Sequence, residues 1–164
     1  MINKIIVMGV SGCGKSSMGQ KIAAYFGFPF FDGDDYHSEA NVEKMRQGIP
    51  LTDEDRFGWL KTLNGILKDN PTAVVACSGL KPEYREILRH DVNDLGIIYL
   101  QGDFDTIWQR HQKRDGHYFN GKEMLESQFA TLVEPKDEAD VITVDIRQSI
   151  EQVFNVSIQA LEAK

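Results

Sequence analysis

Cysteine is scarce in this chain. Only Cys13 and Cys77 occur among 164 residues, too few for a disulfide framework and without the spacing of a metal site. The fold must therefore be held by its core, and a chain of this size can supply one. Scaling laws give roughly 8,000 Å² of folded surface against about 27,000 Å² unfolded, so about 70% is removed from water. Long hydrophobic runs are missing too: no stretch approaches the ~20 apolar residues of a spanning helix. The opening Met1-Ile2-Asn3-Lys4 leads into an apolar stretch broken by Gly9, too short for a signal peptide, and a cytoplasmic location is expected. Positive charge is in the minority, with 18 Lys and Arg against 25 Asp and Glu and a net charge of −7. Such a chain lacks the broad basic field that nucleic acid or an anionic membrane would need, although local geometry can still hold a small anion. No Pro/Gly/Ser-rich linker, repeat or low-complexity tract divides the sequence, so a single domain over 1–164 is expected. Hydrophobic residues make up 41% of the chain, an ordinary globular share that excludes disorder.

What is present is an alternation. Short apolar runs at Ile5–Met8, Phe28–Phe31, Ala73–Cys77, Ile97–Leu100 and Val141–Ile146 are separated by amphipathic stretches. Three of the runs are apolar almost throughout, which points to strands buried on both faces of a parallel sheet. Helices are predicted over Ser16–Phe26, Ser38–Gln47, Thr52 to Pro71, Pro82 to about Asp91, Phe104–Arg114 and Ile150–Leu161. Ser38, Thr52, Asp103 and Ser149 are candidate N-caps, and Phe57, Leu60, Leu63, Ile66 and Leu67 form the stripe of the third helix. Strand and helix in strict turn mean an α/β fold with right-handed crossovers. The polar, aromatic segment Asp115–Lys122 reads as a mobile loop.

The sharpest local signal is Gly9-Val10-Ser11-Gly12-Cys13-Gly14-Lys15-Ser16, which fits G-x-x-x-x-G-K-[ST] between a strand and a helix. Its glycines permit a tight loop whose backbone N–H groups converge on phosphate oxygens, helped by the positive end of the next helix. Lys15 can reach the outer phosphates, and the Ser16 hydroxyl can ligate Mg²⁺. A nucleoside triphosphate, ATP, is the expected ligand. Gly9 through Ser16, together with Ser17, are its expected binding residues. A GTPase switch would need N-K-x-D after a strand; Gln112-Lys113-Arg114-Asp115 follows a helix and lacks the Asn. A mechanical ATPase would need a larger core. A small-molecule kinase is favoured.

Candidate acceptor residues follow the second strand. Asp32 is assigned to the metal and Asp34 to an acceptor hydroxyl, since the carboxyl end of a parallel strand opens on the ligand crevice. His37, Asn41 and Lys44 are spaced to share one helix face, which suits a polyhydroxylated anion. Arg56 can clamp a carboxylate or phosphate bidentately. Ser78 and Gly79 end the third strand with small residues, and Lys81, Tyr84, Arg85 and Arg89 follow on a helix. Arg110 and Arg114 lie one turn apart, like charges that repel unless anions come between them. Closing over ATP would supply those anions.

These residues resemble one family closely, the gluconate kinases of the P-loop nucleoside-monophosphate-kinase-like group. Four blocks carry the resemblance: Gly9–Ser16; Gly33-Asp34 through His37, Asn41, Lys44-Met45, Gly48, Pro50-Leu51, Asp53, Asp55-Arg56 and Trp59-Leu60; Cys77-Ser78 with Leu80-Lys81 and Tyr84-Arg85; and Gly102-Asp103 through Arg110, Arg114, Gly116-His117 and Phe119 to Gln128-Phe129, Leu132 and Glu134-Pro135. The resemblance implies ATP- and Mg²⁺-dependent phosphorylation of D-gluconate at its C6 hydroxyl. It also implies a five-stranded parallel sheet of order 2-3-1-4-5, an acceptor segment over about 33–60, a mobile lid over about 110–126, and a homodimer. The expected catalytic residues are Lys15, Asp34, Arg110 and Arg114, with Arg110 also on ATP and Ser16 and Asp32 on the metal. The expected acceptor residues are Asp34, His37, Asn41, Lys44, Arg56, Ser78, Gly79, Arg85 and Gln128. Gly79 stands where the family pattern has Ala, and Cys13 where it often has Ser. Cys13 is also expected to make the nucleotide site sensitive to thiol reagents. No acidic residue ends the third strand, which is why the metal duty falls to Asp32.

Overall fold

The structure, a computed structural model, describes residues 1–112 and 121–164. Five strands, β1 (Lys4–Met8), β2 (Phe30–Asp32), β3 (Ala73–Ala76), β4 (Leu95–Gln101) and β5 (Val141–Asp145), form one sheet of order β2-β3-β1-β4-β5. Every neighbouring pair is parallel, as expected. The central strands explain why: Ile5, Ile6, Val7, Val74, Val75, Ile97 and Ile98 are at most 1% exposed, so both faces of the sheet need cover. That cover comes from α1 (Lys15–Phe26), α2 (Glu39–Arg46), α3 (Asp53–Asp69), α4 (Pro82–Arg89), α5 (Phe104–Gln112), α6 (Gly121–Thr131) and α7 (Ile150–Glu162).

Local sequence sets the helix starts. The Ser38 side chain accepts from the Asn41 amide, and Asp103 accepts from the Thr106 amide. Thr52 with Asp55, and Ser149 with Gln152, form full capping boxes. Two elements were not anticipated. Gly33–Tyr36 is a 3-10 turn too short to show a period. Helix α6 takes in Gly121 and Lys122, the last residues of the segment read as a loop, and it is held by Leu125, fully buried, and by Phe129 against the core. The α3 stripe also shifts: Phe57 is 38% exposed, whereas Trp59 is buried.

Because the chain steps outward from β1 in both directions, β1 sits where the strand order reverses. In open α/β sheets the ligand crevice lies at the carboxyl ends of the strands flanking that point.

Candidate active site

The phosphate loop leaves β1 at that crevice. Gly9, Gly12 and Gly14 take φ of 152°, 87° and 94°, and a Cβ on Gly9 would fall 2.5 Å from the Cys13 sulfur. The loop is tied back by the Cys13 amide, which donates to the Val10 carbonyl at 3.2 Å, and by the Gly9 amide, which donates to Ser78 at 3.3 Å. Helix α1 starts from left-handed Gly14 with no side-chain cap and no acid in its first turn. Its amide end is therefore left to an outside anion. Lys15 is only 9% exposed and pairs with no carboxylate among the described residues. Val10 is buried in the core, Cys13 is 3% exposed, and Ser17 points to solvent. The Ser16 hydroxyl donates to Asp32 Oδ2 at 2.9 Å, and Asp32 Oδ1 accepts from the Asp34 amide at 3.0 Å. A hydroxyl beside a carboxylate is the sparse, hard-oxygen set that suits Mg²⁺, which keeps waters and takes phosphate oxygens as its other ligands.

Across the crevice, Gly33 lets the chain pass directly over β3. A Cβ there would lie 2.3 Å from the Ala76 carbonyl oxygen. The turn that follows carries Asp34 to the rim, where its side chain is 65% exposed. The His37 side chain is 2% exposed and stacks on Trp59 at 4.1 Å, while Trp59 Nε1 donates to the Gly33 carbonyl at 2.7 Å. Burial, reinforced by the Arg56 charge and opposed by Asp34, pushes the His37 pKa down, so the ring is neutral. Its Nδ1 lies 3.3 Å from the Asn41 amide nitrogen, which assigns the ring proton to Nε2, the nitrogen nearer Asp34. Arg56, in the first turn of α3, is 8% exposed and donates from Nη1 to the Tyr84 hydroxyl at 2.9 Å. No carboxylate pairs with it among the described residues.

Both sides open on one cavity of about 580 Å³. Ser11 and Lys15 line it from the loop; Asp34, His37 and Arg56 line it from the acceptor side, and Ser78 and Leu80 from the end of β3. Val42, Met45, Leu51 and Trp59 give it an apolar wall, and His111, Met124 and Gln128 close the far side. Burial pushes the Cys77 thiol beneath it up to about 12, and the charges of Lys15, Asp34 and Arg56 are all felt there. Three charges from distant parts of the chain thus converge beyond β3. A more open groove of about 700 Å³ between α1 and α7, lined by Lys21, Tyr25, Ile150 and Phe154, gathers no such set.

Several expected site residues are placed elsewhere. Asn41 is 4% exposed and donates to the Asp55 carbonyl at 2.8 Å; Lys44 Nζ donates to the Asp55 carboxylate at 2.7 Å. Together they fasten α2 to the start of α3, and Lys44 and Thr52 hold the Asp55 carboxyl down to about 2. Of the expected helix face, only His37 opens on the cavity. Arg85 is also placed away from the cavity. It is 1% exposed, and its guanidinium is used by Glu138 at 2.7 Å, the Gly79 carbonyl at 2.7 Å and the Val133 carbonyl at 3.0 Å. It is a buried tie between α4 and the segment before β5 and does not line the cavity. Gly79 serves that tie and does not line the cavity either, its φ of 55° turning the chain toward α4. Gln128 does reach the site, accepting from the Ser11 amide at 2.7 Å. Arg110 donates to the Ile146 carbonyl and does not line the cavity. Arg114, with the rest of the expected lid between 113 and 120, lies outside the described residues. Trp59 and Tyr84 were not assigned to the site. For Trp59 the signal was its place three residues after Arg56, on the same helix face.

The sequence matches the Shikimate kinase family over residues 11–162. It is 45% identical over 163 residues to the thermosensitive gluconokinase of Escherichia coli K12, covering 96% of this chain and 87% of that protein. It is 43% identical over 162 residues to the thermoresistant gluconokinase of the same strain, covering 96% and 92%. A gluconokinase structure from Sinorhizobium meliloti 1021 superposes with a TM-score of 0.93 at 38% identity, covering 98% of this chain and 92% of that one. Shikimate kinase from Aquifex aeolicus superposes at 0.60 with 17% identity over 98% and 96%, a likeness of fold alone.

Proposed function

The chain belongs to the gluconokinase family, and from that premise we infer its reaction: it is a P-loop kinase that transfers the γ-phosphoryl group of ATP to gluconate. One observation carries the assignment of roles. Two buried cations without a carboxylate partner among the described residues, Lys15 and Arg56, face a single cavity from opposite sides, with Asp34 at its rim. A buried cation left unpaired is costly unless a ligand supplies the anion. The cavity is therefore built for two anions, a triphosphate tail at Lys15 and a carboxylate at Arg56.

Arg56 presents its fork to the gluconate carboxylate. His37 Nε2–H and Ser78 face the hydroxyl chain, and the apolar wall keeps water away from it. The primary C6 hydroxyl, farthest from the carboxylate, is then directed toward the phosphate loop beside Asp34. Asp34 orients that hydroxyl and takes its proton as the O6–P bond forms and the bond from γ-phosphorus to the ADP oxygen breaks. Lys15 and the uncapped amide end of α1 hold the charge on the phosphates. Ser16 and Asp32 would hold Mg²⁺, which when bound helps neutralise the phosphate oxygens. Arg110 exchanges the Ile146 carbonyl for the transferred phosphoryl group, joined by Arg114. A homodimer in the cytoplasm completes the proposal on the strength of the family resemblance; sedimentation velocity tests the first part. No helix among the described residues is long and apolar enough to cross a membrane.

A coupled ADP-release assay over gluconate, other aldonates, shikimate and a neutral polyol tests the reading. Gluconate should give the highest kcat/KM. ADP release indifferent to gluconate would refute it, and a higher value for shikimate or another aldonate would reassign the acceptor.

A further inference from the structure

Arg56 must hold its planar fork in one orientation without being neutralised, and the structure shows how. We propose that Tyr84, backed by Asp53, is a positioning residue for the acceptor: its hydroxyl fixes the plane of the Arg56 guanidinium and leaves the charge free for a carboxylate. The proposal rests on Arg56 being the carboxylate receptor of the reaction inferred above.

The argument starts from proton counting. A tyrosine hydroxyl has one hydrogen and can both donate and accept. Here it donates to Asp53 Oδ1, so only its lone pairs remain to face Arg56, and Nη1 donates to them at 2.9 Å. Asp53 is in turn held by Lys81 Nζ at 2.9 and 3.2 Å. The order Lys81, Asp53, Tyr84, Arg56 is directional. It polarises the phenol oxygen toward the guanidinium, while the ion-pair partner of Asp53 is Lys81 and not Arg56. No other group among the described residues accepts a hydrogen bond from the Arg56 side chain. The contrast within the molecule is sharp: Arg85 and Arg89 are fastened by the carboxylates of Glu138 and Asp140, which leave nothing for a ligand. A neutral phenol orients as a carboxylate would, without cancelling the charge.

The pairing of α3 with α4 does not need the hydroxyl. Leu60, Leu63 and Leu88 are fully buried, and Asn64 bridges the Leu88 and His90 carbonyls at 2.9 and 2.8 Å. Tyr84→Phe should therefore fold, and Asp53→Ala, an exposed change, provides a second variant.

Steady-state kinetics on the whole protein, with thermal melts alongside, test the proposal. Tyr84→Phe should raise KM for gluconate roughly tenfold, as loss of a hydrogen bond to a charged group implies. KM for ATP and kcat should stay within about twofold. Asp53→Ala should move the same constant in the same direction. In Arg56→Lys, whose fork is already gone, adding Tyr84→Phe should change gluconate KM little further. If wild type phosphorylates gluconate and Arg56→Lys raises its KM, but Tyr84→Phe leaves that KM unchanged, the positioning role is overturned and the reaction stands. The role is equally overturned if Tyr84→Phe weakens ATP as much as gluconate. If wild type shows no gluconate-dependent ADP release, the reaction itself fails and the role falls with it.

Discussion

Replacing Glu138 with Gln should unsettle the fold and spare the acceptor site. The Arg85 side chain is 1% exposed, and Glu138 accepts from its Nε at 2.9 and 3.1 Å and from Nη2 at 2.7 Å. Gln keeps the shape and one oxygen but removes the charge. A buried charge stripped of its partner costs about 3–5 kcal/mol. Two carbonyl bonds to Arg85 persist and Glu138 is 22% exposed, so we expect less than that, about 2–3 kcal/mol. For a chain of this length that lowers Tm by about 4–12 °C. The pH dependence has a sign as well. Arg85, with Arg89 adding to it, holds the Glu138 carboxyl below its ordinary range in the folded protein. That contribution is complete above the ordinary value of 4.5 and is lost as pH falls through the lower folded value, so the variant should show a flatter acid limb. Calorimetry from pH 7 down to about 4, with gluconate kinetics at 20 °C where the variant remains folded, measures both. An unchanged Tm would refute the burial argument. A strong rise in gluconate KM with Tm intact would return Arg85 to the acceptor site.

Asp34→Asn should lower kcat by about 10²–10⁴ with little change in Tm, because it removes the base and leaves an exposed side chain; single-turnover phosphoryl transfer reads this directly. His37 is buried neutral with its pKa depressed below 6.5, so protonating it favours the unfolded chain. Urea midpoints should therefore decline as pH falls below about 6.5, and His37→Gln should decline less. Cys13, expected to make the nucleotide site sensitive to thiol reagents, is 3% exposed. Maleimide should label it only as fast as the native protein opens, with the labelling rate rising in step with urea.

The phosphate loop was legible in the sequence because its chemistry is local: glycines, a lysine and a serine within eight residues dictate the backbone turn and its ligand. The strands and the order of helices were legible because a buried parallel sheet needs continuous apolar runs. Asp34 and Ser78 follow from the same topology, since residues just past a strand at the switch point face the crevice; His37 was reached through a helix face, but it precedes α2 and reaches the cavity without Asn41 and Lys44. Helix α6 was not legible, its apolar residues being too few to mark a period beside the polar segment before it.

Arg56 and Arg85 show what sequence alone could not decide. Each stands in the first turn or so of a helix, and either could have held a carboxylate. What separates them is a residue far along the chain: Glu138 comes to Arg85 and neutralises it, while among the described residues the Arg56 side chain hydrogen-bonds only the phenol of Tyr84. Which cation remains available to a ligand is settled by the anions that tertiary packing brings beside it, and no local pattern records that pairing.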